Sequence, residues 1–145
     1  MQWLSGEQID RLQDEHAQLA RLLASLQQLA GEFVRLQPEA ARQALAALVD
    51  DLQVLLVEHE HDDERQLYPW LSARLAGDDP LSALSRGHRE IFRAIHLLAR
   101  MRDDLLQDPS AVPADEVQIL LIRLDTLVRL HFEQEEELFQ YLDRR

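Results

Sequence analysis

Four long segments of this chain carry apolar side chains at alternating steps of three and four residues, the spacing that lines one face of an α-helix. The segments are rich in Leu, Ala, Gln, Glu and Arg, which favour helix, and the five prolines lie at or near segment ends. Helices are predicted over residues 5–36, 38–68 and 79–107, and from the 108–113 linker to residue 143. We therefore expect one all-α domain, residues 1–145, folded as an antiparallel up-down four-helix bundle.

The ends of these helices are predicted from individual residues. Ser5 is expected to cap the first helix, and Asp79 with Pro80 to start the third. Pro69 is expected to end or kink the second helix, because a proline ring removes a backbone hydrogen bond and contacts the carbonyl four residues back. The apolar stripe of the second helix is predicted to comprise Ala41, Leu45, Leu48, Leu52, Leu55 and His59, with Asp63 one turn further.

The two halves of the chain match each other when one is shifted by 72 residues. Apolar positions coincide at this offset, and so do ionisable ones: His16 with His88, His59 with His131, Asp63 with Glu135, and Glu64 with Glu136. Each of the four stripes contains one of these histidines. The halves therefore look like copies of one helical hairpin, and a pseudo-two-fold axis would bring both sets of histidines and carboxylates to one level of the core.

Two of the helices pair an imidazole with a carboxylate four residues later, so that both groups lie on one helix face. These pairs are His59 with Asp63 and His131 with Glu135, and each carboxylate has two oxygens with which to bridge two ions. Together with the single histidines of the other two helices, they form a ligand set for two metal ions. Glu60, at the edge of its stripe, is a further candidate ligand. The alternative is a buried ionic network without metal, since an apolar core does not accept unpaired carboxylates.

The remaining histidines, His61 and His96, fall off the stripes and are expected on the solvated surface. Aromatic residues near the histidine level are expected to pack in the core and to shield the site from water: Tyr68, Trp70, Phe92, Phe132 and Phe139. Ferritin-type centres need Glu-x-x-His on two helices, and Glu58-x-x-His61 is the one example in the sequence. The sequence also lacks the motifs of zinc peptidases, phosphate-binding loops and serine hydrolases.

Charge and cysteine content exclude several classes of function. The formal net charge of -12 opposes binding to nucleic acid or to an anionic membrane surface. The absence of cysteine excludes disulfides, thiolate metal sites and a cysteine nucleophile, so a metal must be bound by nitrogen and oxygen. The first residues have neither a basic start nor an apolar run, and no stretch is apolar enough for a membrane span. We expect a cytoplasmic protein.

The order His16, His59-x-x-x-Asp63, His88, His131-x-x-x-Glu135 on four helices resembles the hemerythrin-like, or HHE cation-binding, family over nearly the whole chain. This resemblance implies a non-haem centre of two iron ions with bridging carboxylates from Asp63 and Glu135. It further implies that one iron is held by His16 and His59, and the other by His88 and His131. The implied activity is to bind or sense dioxygen, nitric oxide or peroxide.

Two departures from the family pattern bear on this function. Phe92 stands where oxygen-carrying members have a second histidine on the third helix, and Asp63 stands where the family usually has glutamate. Both differences favour sensing, oxidant handling or iron holding over simple oxygen carriage. Manganese or zinc is the alternative to iron. A peroxide-decomposing or oxidase-like enzyme and a metal-free interaction module are the alternative functions, and a sensor would need a separate redox or signalling partner.

Overall fold

Four long helices make up the part of the chain that the computed structural model describes, residues 6–74 and 81–143. The side chains of residues 8, 9, 11–13, 16, 18, 70, 74, 81–83, 139 and 141–143 lie outside the description. Helix α1 is Gly6–Glu32 and is followed by a 3-10 turn, Phe33–Arg35. Helix α3 is Leu81–Gln107, and helix α4 is Ala114–Asp143. The caps predicted at Ser5 and at Asp79 with Pro80 lie outside the described residues.

Helix α2 consists of five consecutive segments, and two of them are π-helical. The segments are Pro38–Asp51 (α), Leu52–Leu56 (π), Val57–Asp62 (α), Asp63–Leu67 (π) and Tyr68–Arg74 (α). Within the π turns the backbone N–H of Val57 donates to the carbonyl of Leu52, and that of Tyr68 to the carbonyl of Asp63. Both bonds span five residues instead of four, so the helix is locally wider.

Pro69 is predicted to end or kink α2, and an end is wrong, because the helix continues through the proline to Arg74, while a kink stays a prediction. The π turn Asp63–Leu67 lies directly before the proline. A proline ring in a regular α-helix meets the carbonyl four residues back, and a wider turn relieves this contact. Pro69 therefore does disturb the regular α-helix, but the result is a π turn before the proline and not the end of the helix.

The stripe predicted for α2 is also wrong at one position. Leu55 is 49% exposed, whereas its neighbour Leu56 is fully buried. A π turn takes more residues to complete than the 3.6 of an α-helix, so the residue four positions after Leu52 returns to the buried face. The choice between steps of three and four therefore could not be made from regular α-helical spacing.

The helices pack as the antiparallel four-helix bundle that the sequence predicts. Helix α1 lies against α2 and α4, and α3 lies against the same two helices. Fully buried leucines and valines fill the interior, among them Leu45, Leu52, Leu98, Val117, Leu121 and Leu124. We refer to these six residues as the apolar layer. Over the described residues, none of the helices is both long and apolar enough to cross a membrane.

Candidate metal centre

One end of the bundle buries six ionisable side chains. They are His59, Glu60 and Asp63 of α2, His88 of α3, and His131 and Glu135 of α4, each no more than 5% exposed. Because neighbouring helices are antiparallel, the later parts of α2 and α4 meet the first half of α3 at this end. We call these six residues the ionisable layer. Burying so many ionisable groups costs free energy unless they are paired or bind a metal.

Four donors from three helices converge on one point. The Nε2 atoms of His88 and His131 lie 2.8 Å apart. Glu60 Oε2 contacts the Nε2 atom of His88 and lies 3.0 Å from that of His131. Glu135 Oε1 lies 2.8 Å from His131 Nε2. One donor atom from each of these side chains falls within 4.8 Å of all the others, as the ligands of a single metal ion do.

A second donor set lies beside the first and shares a carboxylate with it. It consists of His59, Asp63 and Glu135, whose donor atoms also fall within 4.8 Å of one another. His59 Nε2 lies 3.4 Å from Asp63 Oδ2, one helical turn along α2. Glu135 thus belongs to both sets. A carboxylate between two donor sets is in the position to bridge two ions.

Carboxylates outside the layer orient two of the imidazoles. The Nδ1 atom of His59 lies 3.2 Å from Glu15 Oε2, and that of His88 lies 3.0 Å from Glu64 Oε1. Each pairing fixes which ring nitrogen faces inward, and it leaves Nε2 as the donor toward the centre. Metal-binding histidines are held in this way by a partner on their other nitrogen, which also makes them stronger ligands.

Tyr68 is the neutral member of the site. Its hydroxyl donates to Glu135 Oε1 at 2.9 Å and lies 2.9 Å from His88 Nε2 and 3.3 Å from His131 Nε2. Its ring stacks on His88, with centroids 5.1 Å apart and planes at 19°. Burial and then the negative charge of Glu135 raise the pKa of Tyr68, so the hydroxyl keeps its proton. The hydroxyl therefore holds one oxygen of the shared carboxylate.

The protonation of the layer follows from these contacts. Burial lowers the pKa of His88, but hydrogen bonds to Glu135 and Glu60 outweigh it and raise the value to about 10. The same opposing causes raise the pKa of His131 to about 9. Burial raises the pKa of Glu60, and hydrogen bonds with the two histidines bring it below the ordinary value. A binding cation has to displace any proton that these imidazole nitrogens carry, so metal affinity is expected to rise with pH.

The chain matches one known protein family over most of its length. Residues 7–142 match the hemerythrin HHE cation binding domain. The chain belongs to this family. The comparisons with curated proteins and with solved structures gave no match. Membership confirms the resemblance inferred from the sequence, and the buried cluster of His and Glu residues in this cation-binding domain suggests a metal site.

The donor set of this hemerythrin domain fits a metal on its own chemistry. Glu60 is fully buried, yet its Oε1 atom has no hydrogen-bond partner among the described residues. A buried carboxylate oxygen in that condition is costly, and a cation would satisfy it. Imidazole nitrogen and carboxylate oxygen suit iron, manganese and zinc. The residues present therefore fit a metal, and the two donor sets have Glu135 in common.

The predicted site residues have different outcomes. Five of them come together in the ionisable layer: His59, Asp63, His88, His131 and Glu135. Glu60, predicted at the edge of its stripe, is inside it. The backbone of His16 lies in α1, and its side chain is outside the description, so its role as a ligand stays a prediction. His61 and His96 are exposed, as predicted.

Sequence reasoning missed the supporting residues. Tyr68 was expected to pack and shield, and its hydroxyl instead touches three members of the layer. Glu15 has no sequence signal apart from standing next to His16, whereas Glu64 follows Asp63 and also matches Glu136 in the internal repeat. Phe92 is half-buried, and its ring lies 4.9 Å from that of His61, so it covers the outer side of the centre. The predicted shielding residues Trp70 and Phe139 have side chains outside the description.

Proposed function

We propose that this hemerythrin domain holds a non-haem centre of two iron ions and uses it to bind or sense a small oxidant, such as dioxygen, nitric oxide or peroxide. The observation that supports this most directly is the pair of buried donor sets that share Glu135. A single structural ion would need only one set. Two adjacent sets with a common carboxylate are suited to two ions that act on one small molecule.

Six residues of the chain would act as ligands of the two ions. Glu60, His88 and His131 would hold one ion, His59 and Asp63 the other, and Glu135 would contact both. The bound ferrous ions would supply the electrons and the open coordination position for the oxidant. The layer itself provides nitrogen and oxygen donors without thiolate, which suits iron and leaves manganese and zinc as competitors.

Access to the centre favours a small ligand. His88 forms part of the wall of a surface cleft of about 520 Å³, which is also lined by His61, Glu64 and Phe92. The His88 side chain itself is only 1% exposed, and the donors behind it are buried. Dioxygen, nitric oxide or hydrogen peroxide could pass between these side chains if the side chains rotate slightly. A larger substrate would have to separate α2 from α3.

The test is anaerobic loading of the metal-free chain with Fe²⁺, followed by exposure to dioxygen, nitric oxide or peroxide in separate samples. The proposal expects a new visible charge-transfer band with at least one of these molecules, which dithionite removes. The matched control is the double variant Glu60→Leu/His131→Leu, which has side chains of similar volume and lacks two of the donor groups of the layer. A loaded chain with no spectral response to any of the three would contradict the proposal, and repeated consumption of peroxide would make the protein an enzyme.

A further inference from the structure

The two hairpins differ at several pairs of equivalent positions beside the centre, and one of these pairs lies next to the outer nitrogens of two histidines. Shifting the chain by 72 residues places Glu15 on Gly87, each directly before the histidine of its helix. Glu15 Oε2 lies 3.2 Å from His59 Nδ1. A β-carbon added to Gly87 would lie 3.2 Å from His131 Nδ1. The two positions thus face the same atom of equivalent histidines, one with a carboxylate and the other with a bare backbone.

The His131 ring lies close to Gly87 and has little freedom to move away. The His131 side chain is 2% exposed, and its Nε2 atom is held by Glu60 and Glu135. Its Nδ1 atom is buried and has no hydrogen-bond partner among the described residues. On its outer nitrogen, the His131 ring therefore faces the α3 backbone at Gly87, whereas the His59 ring faces the carboxylate of Glu15.

We propose that Glu15 and Gly87 add to the inequality of the two metal positions, of which only one has Glu60, and that both residues act as positioning residues for different ions. The inference rests on the two-metal centre proposed above. Glu15 would strengthen His59 as a ligand, since a carboxylate on the outer nitrogen raises the basicity of an imidazole. Gly87 would leave the His131 ring in its place beside the ion, because a β-carbon there would displace the ring by a few tenths of an ångström.

Each residue can be tested by a small change with a matched control. Glu15→Gln removes the charge of a partly exposed side chain, and Asp14→Asn does the same at the exposed neighbouring position of α1. Gly87→Ala adds the β-carbon against His131. Gly31→Ala adds one inside α1, where nothing lies within 4 Å, and so reports the gain in helix propensity alone.

The experiment is a calorimetric titration of Zn²⁺ into the metal-free 145-residue chain with a competing chelator, together with melting temperatures with and without Zn²⁺. We expect two binding steps in the wild type. Glu15→Gln should weaken one step about 10- to 100-fold and leave the other unchanged, as loss of a partner on a metal-binding histidine does elsewhere. Gly87→Ala should weaken the other step and reduce the rise in melting temperature on adding Zn²⁺. Both controls should keep both steps at wild-type affinity.

The outcomes separate this inference from the function on which it rests. A wild type that binds fewer than two Zn²⁺ would overturn the two-metal centre and the inference with it. A wild type that binds two, with both variants weakening the same step or neither variant weakening any, would overturn the inference alone. Melting curves of the metal-free variants show whether either substitution disturbs folding. If one variant fails to fold, the variant that folds still tests whether one Zn²⁺-binding step is weakened and the other is unchanged.

Discussion

The apolar layer and the ionisable layer are stacked in one bundle, yet opposite physical effects govern them. The apolar layer is fully buried hydrocarbon, and each side chain there stabilises the fold by leaving water. The ionisable layer buries three histidines and three carboxylates to the same degree. Its internal hydrogen bonds offset the cost of desolvation only in part, because charged groups lose more on burial than neutral ones. The difference indicates that the first layer maintains the fold and the second is retained for binding.

The comparison predicts first that metal stabilises the protein through the ionisable layer alone. Free Fe²⁺ at about 1,000 times its dissociation constant should raise the free energy of unfolding by about 4 kcal/mol for each ion bound, because a ligand that binds only the folded state shifts the equilibrium. Urea unfolding followed by circular dichroism under anaerobic conditions measures this. A chelator should reverse the gain, and the same gain in Glu60→Leu/His131→Leu would place the metal elsewhere.

The second prediction concerns the apolar layer. Leu121→Ala should lower the free energy of unfolding by about 2–5 kcal/mol, since the buried side chain is lost and a cavity remains. Leu121 lies ten residues before His131 on α4, about 15 Å away along the helix, so the stabilisation by metal should not change. Ile122→Ala, at a position that is 48% exposed, is the control and should have a small effect. If Leu121→Ala also weakened metal binding, the two layers would not be independent.

The third prediction is opposite in sign. Glu60→Leu/His131→Leu should leave the metal-free protein at least as stable as the wild type, and more stable by about 1–4 kcal/mol if the leucines pack well. The change removes one acidic and one basic group together, and the remaining Glu135 and His88 keep Tyr68 and Glu64 as partners. Urea unfolding without metal gives the answer. A loss of several kcal/mol would mean that the ionisable layer is a structural network in its own right.

The smallest expected effect concerns the hydroxyl of Tyr68. Tyr68→Phe should lower the free energy of unfolding of the metal-free protein by about 1–3 kcal/mol, because Glu135 Oε1 loses a hydrogen-bond donor while buried. A double-mutant cycle with Glu135→Gln measures whether the effect passes through that carboxylate. Strictly additive changes would show that Tyr68 contributes by packing and not through its hydrogen bond.

The fold could be predicted from the sequence because its signals are periodic and redundant. Four stripes and an internal repeat all require the same bundle, and one misplaced leucine does not alter it. The errors cluster in α2, where two π turns depart from regular spacing. They put Leu56 on the buried face in place of Leu55, and they let the helix pass Pro69. A local change of helical pitch leaves no periodic trace in a sequence.

The candidate site could be predicted only where a residue lies on a stripe. His59, Asp63 and His131 follow the helical spacing, so their convergence was foreseeable. Glu60 lies at the stripe edge, and its complete burial depends on how α2 faces α3 and α4. Glu15 reaches His59 from another helix, and such contacts between elements are set by packing that spacing does not describe.

The most direct test of the whole account is the iron content per chain after anaerobic loading with Fe²⁺ and removal of unbound metal, measured by elemental analysis. The account predicts two iron ions per wild-type chain and a loss of both or of the better-bound one in Glu60→Leu/His131→Leu. A wild-type chain that retains no iron would contradict a metal centre in the ionisable layer. A double variant that retains as much iron as the wild type would contradict it equally.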